Sequence, residues 1–80
     1  MSEVVPDVII DLVGGKDPER DLVEVKETLK YLNKGGVVKI ICSNKESFEK
    51  IKRWIDKNGF ETLIEEEKEE ERVIVFVKTR

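Results

Sequence analysis

The chain has 80 residues, a net charge of -3 at pH 7 and charged side chains at 41% of positions. That length holds one domain, read here as residues 1–80 with an ordered core over about 7–79. The acidic balance excludes the basic footprint of a nucleic-acid binder, no apolar run nears the ~20 residues that span a bilayer, and without a charged segment followed by an apolar one at residue 1 no secretory signal is expected.

Residues 8–13 are apolar apart from Asp11 and predict a strand that ends at Gly14-Gly15. Asp17 then reads as a helix N-cap and Pro18 as the first helical residue. Leu22, Val25, Leu29 and Leu32 recur at helical spacing, predicting a helix over 18–32. Glu19, Asp21 and Glu24 lie early in it and Lys30 late, as the helix dipole favours. Asn33-Lys34-Gly35-Gly36 stops it. Residues 37–42 predict the second strand. Ser43-Asn44-Lys45-Glu46 matches the capping box S-x-x-E. Phe48, Ile51 and Ile55 mark the buried stripe of a second helix, with Trp54 at its edge, and Asn58-Gly59 ends it. A third strand is expected over 60–65, a charged turn over 66–71 and a fourth strand over 72–78.

The order βαβαββ predicts an α+β fold: a two-layer α/β sandwich, with a four-stranded mixed sheet and both helices on one face. Strand alternation then points Val8, Ile10, Leu12, Val38, Ile40 and Cys42 toward the helices. It leaves Ile9, Val37, Lys39 and Ile41 on the open face, to which Leu63, Ile74 and Phe76 are also assigned. A face this apolar predicts a partner, most simply a second copy packed sheet to sheet.

One cysteine cannot make an internal disulfide, and His is absent. A reducing, cytoplasmic setting is therefore expected, with no metal and no cofactor. Ala and Gln are absent too, while Glu, Lys, Val and Ile are abundant. Hot-living organisms favour such usage, and a melting temperature in the mesophile range would refute that expectation.

The run Ile10-Asp11-Leu12-Val13-Gly14-Gly15-Lys16-Asp17-Pro18-Glu19-Arg20, with its βαβαββ setting, resembles the TusA/SirA family of small sulfur carriers. In that family a strand ends in Leu-Asp and a glycine loop, and a Cys-Pro-x-Pro motif opens the first helix. Asp11 falls on the family's aspartate, Gly14 on its loop glycine and Pro18 on the first motif proline. Lys34-Gly35-Gly36 matches the turn before the second strand, and Asn58-Gly59-Phe60 the turn after the second helix. Two positions depart from the motif. Asp17 stands where the family has its cysteine, and Arg20 where it has the second proline. The resemblance implies a sulfur-relay setting. A carboxylate at residue 17 retains the helix-start geometry but cannot hold a persulfide.

Each candidate residue has a plain reading beside the functional one. Asp17 is a cap worth about 1 kcal/mol, or the remnant of a site that anchors a cationic group. Cys42 is a small buried hydrophobe, or a relocated carrier thiol near the Asp17 loop. Gly14 and Gly15 make a turn, or cradle an anion with their N–H groups beside Lys16 and Arg20. The acidic run from Glu65 to Glu71 is a solvated hairpin tip, or a dock for a basic partner. The resemblance is to sulfurtransferases, but with the motif cysteine absent the expectation leans away from an enzyme and toward an accessory protein of sulfur transfer that binds a relay partner through Gly14, Gly15, Lys16, Asp17, Pro18 and Arg20. The alternatives are active sulfur transfer through Cys42 and an RNA-binding module, the latter opposed by the net charge.

Overall fold

A computed structural model describes residues 4–80. β1 spans Val8–Leu12 and stops where Gly14 adopts φ +88°, a left-handed conformation that glycine enters without steric cost. α1 spans Pro18–Leu29, with Asp17 as its N-cap. It closes three residues short of the predicted end because the last turn tightens. Lys30, Tyr31 and Leu32 donate to the carbonyls three residues back, at 3.2–3.3 Å. The Lys78 ammonium then donates to the Leu29 and Leu32 carbonyls, at 2.7 Å each.

β2 spans Val37–Cys42 and α2 spans Lys45–Asn58. The cap of α2 differs from the expected box. Asn44, not Ser43, is the N-cap, and its Oδ1 accepts from the Glu46 and Ser47 N–H groups at 2.8 and 3.4 Å. Asn and Ser cap about equally well. Ser43 is drawn elsewhere, its hydroxyl accepting from the Gly14 N–H across 29 positions of sequence. Gly59 ends α2 at φ 72°. β3 spans Glu61–Glu67 and β4 spans Arg72–Val77. The hairpin between them is shorter than expected, closed by a bond from the Lys68 N–H to the Glu71 carbonyl.

The sheet order is β1-β2-β4-β3. β1 runs parallel to β2, as a helical crossover demands, and the other two pairs are antiparallel. The helices cover one face, and the core lies between. Ile10, Leu12, Val38, Ile40 and Cys42 meet Val25, Leu29, Phe48, Ile51 and Ile55 there. Trp54 and Phe60 close its rim, with Phe60 stacked on Phe76 at 5.9 Å.

The expected phase of β4 is overturned. Ile74 and Phe76 are fully buried against the helices. They pair with Ile40 and Val38, and strand partners place their side chains on the same face. Val73, Val75 and Val77 therefore take the open face. In β3 the register shifts between Thr62 and Ile64, so Ile64 pairs with Val75 and shares its face.

Candidate functional site

The carboxyl ends of β1 and β2 lie side by side, since Leu12 pairs with Cys42. The 13–17 loop and the first turns of both helices meet at this edge. Each short connection is fixed by a local bond. Asp11 Oδ1 accepts from the Val13 N–H at 3.0 Å, and the Gly15 N–H donates to the Leu12 carbonyl at 3.0 Å. The Gly14 N–H donates to Ser43 Oγ at 3.0 Å, tying the loop to the start of α2. Both glycine N–H groups thus have partners within the chain, as a turn requires, and neither is left over for an anion.

Asp17 sits at the opening of α1 with extended backbone, φ -114° and ψ 104°. Its Oδ1 accepts from the Glu19 and Arg20 N–H groups at 3.1 and 3.4 Å. The carboxylate thereby satisfies two orphan donors and lies at the positive end of the helix dipole. Lys16, Asp17 and Arg20 are all exposed. Among the described residues, neither Lys16 nor Arg20 enters a salt bridge. Pro18 is half-buried beside them.

Cys42 is brought to the same edge but faces inward and is fully buried. Burial pushes its thiol up to about 11; the Arg72 guanidinium opposes that rise and Asp21 adds to it. The reactive form is the thiolate, and at neutral pH almost none is present.

Two residues complete the site, Asp21, read from the sequence only as an early acid of the helix, and Ser47, given no role there. Asp21, in the first turn of α1, is buried, and so is Ser47 in the first turn of α2. Ser47 Oγ donates to Asp21 Oδ2 at 2.6 Å and joins the two helix starts. The short distance is that of a hydroxyl on a charged acceptor. Gly15 belongs to this contact, because a Cβ there would lie 2.7 Å from Asp21 Oδ1. The signal was present as spacing. Asp21 precedes Val25 and Leu29 at intervals of four, and Ser47 precedes Ile51 and Ile55 likewise. Each polar residue therefore prolongs a buried stripe.

Among the described residues, no group of three or more His, Cys, Asp or Glu side chains could hold a metal ion, and no helix is long and apolar enough to cross a membrane.

Comparison with known proteins adds three findings. The family model described as "Sulfurtransferase TusA" matches residues 21–79, a span that begins just past Asp17-Pro18. A protein of Archaeoglobus fulgidus named "Putative sulfur carrier protein" is 37% identical over 71 residues, covering 89% of this chain and 94% of that one. The crystal structure of a SirA-like protein from Desulfitobacterium hafniense superposes with a TM-score of 0.68 at 19% identity, over 91% of this chain and 99% of that one. At that identity it bears on the fold alone.

Proposed function

The chain belongs to the TusA sulfurtransferase family, and on that premise we propose that it serves sulfur relay as a docking protein without carrying sulfur itself. The observation that carries this reading is the place of Asp17. Its carboxylate opens α1 and is taken up by two backbone N–H groups. A cysteine in such a position gains thiolate character from the helix dipole and the free N–H groups. An acid in the same position gains only a stable cap. The burial and raised pKa of Cys42 support the same reading, since they oppose its use as a substitute thiol.

The surface left for a partner is the motif edge. Exposed Lys16 and Arg20 flank half-buried Pro18, and they suit an acidic rim on a sulfur-donating or sulfur-accepting protein. Self-association through the open sheet face is the second reading, and it requires residues 4–6 to leave that face. A single free cysteine fits a reducing, cytoplasmic compartment.

The test is incubation with a persulfide-loaded sulfurtransferase, followed by measurement of complex formation and intact mass. A complex with no gain in mass is expected. Lys16→Glu with Arg20→Glu should weaken it about tenfold in Kd, or 1.4 kcal/mol. Transfer of one sulfur atom to Cys42 at a rate matching the donor's turnover would exclude the reading.

A further inference from the structure

The open sheet face is not left bare. Strand pairing sets Ile9, Lys39, Val75 and Ile64 in one row across it, and Ile41 and Val73 beside them. Among the described residues no helix covers this side, yet Val75 is only 4% exposed. The chain preceding β1 passes over this side. Val4 and Pro6 line a cavity of about 230 Å3 together with Lys39, Val73, Val75 and Ile64, and Glu66 and Glu71 stand at its rim. The reach is right. The Asp7 N–H is fixed to the Val37 carbonyl at 2.8 Å. Three extended residues from that point cover about 10 Å, which is two strand spacings of about 4.8 Å, and lead from β1 over β2 to β4.

We propose that residues 4–6 form an intrachain cover for the open sheet face, held there in competition with a second copy of the chain. The uncovered face is suited to a second copy. Its two central strands would present Val37, Ile41, Val73, Val75 and Val77, an apolar surface able to pack sheet to sheet at about 10 Å. Its central Lys39 is ringed by Asp11, Glu66 and Glu71, so a second copy packs with the axis set off Lys39, where each lysine meets the other copy's acids. The two sheet edges are poorer candidates. The β3 edge carries Glu61, Glu65, Glu66 and Glu67, and the β1 edge carries Asp7 and Asp11, so each sets like charges against its own copy.

Sedimentation equilibrium at concentrations up to several hundred micromolar, with binding of an apolar dye, tests the cover. The parent chain is expected to be monomeric. Val4→Asp brings a carboxylate toward Glu66 and Glu71 and lifts the segment. Dimerisation and a several-fold rise in dye emission at low concentration should follow. Val4 is 44% exposed and lies outside the helices and strands, so the fold should survive, with far-UV circular dichroism as the check. Val4→Gly repeats the experiment without a new charge. Adding Val73→Lys to Val4→Asp should return the chain to monomer. A dimeric parent, cover variants that both stay monomeric, or a dimer that survives Val73→Lys would each overturn the proposal.

Discussion

At residue 17 a carboxylate performs a local task whose value is known. It accepts two N–H groups at the opening of α1, and Asp17→Ala should cost about 1 kcal/mol in urea unfolding, with Asp17→Asn recovering most of it. That role was legible in the sequence because a cap depends on its immediate neighbours, here Pro18 and Glu19. Cys42 makes a different prediction. Its folded pKa of about 11 lies above the ordinary 9.0 because burial disfavours the thiolate. The raised value means that its contribution to stability is whole below pH 9 and is lost as pH climbs through 11. The difference is on the order of 2 to 3 kcal/mol. Unfolding curves should show that decline in the parent chain and a shallower one in Cys42→Ala. Equal slopes would mean that the thiol is hydrated in the fold.

Among the elements, the two helices are joined at their starts by a contact whose two residues each prolong a buried stripe, but whose pairing no local pattern announces. Asp21 and Ser47 are 26 positions apart and meet only when α1 and α2 pack. Ser47→Ala strands a buried carboxylate and should cost about 1 to 3 kcal/mol. Gly15→Ala pushes into the same carboxylate and should be destabilising too, whereas an alanine at exposed Lys16 should be near neutral. The strands show a similar division. β1 and β2 were legible in phase because Asp7, Asp11 and Lys39 mark the solvent side. β4 reads Arg-Val-Ile-Val-Phe-Val, apolar on both faces, so alternation could not choose between them. Pairing with β2 chose, and Phe76 went inward. Phe76→Ala should cost about 3 to 5 kcal/mol, well beyond Val73→Ala on the open face. The α2 cap was misassigned for a related reason. Ser43 and Asn44 are both good caps, and only the distant Gly14 N–H decided which was free to act.

For the whole molecule, βαβαββ was legible from helix periodicity and glycine stops, and it implied two layers. Its strand order and the cover over the open face were not, because both depend on segments far apart in sequence. Residues 4–6 carry no pattern of their own and gain meaning only from the valines of β4 beneath them. Function divides along the same line. The cap at Asp17 and the inward phase of Cys42 could be read from spacing, whereas the raised pKa of that thiol needed the packed core. What joins these scales is the fold of the TusA family and, on the function proposed above, an acid in the place of the family's thiol. The direct measurement is sulfane-sulfur loading of Asp17→Cys beside the parent chain, read by intact mass. Gain of one reductant-labile sulfur by the variant and none by the parent is the predicted result. Equal loading of the two chains, or no loading of the variant, would contradict the account.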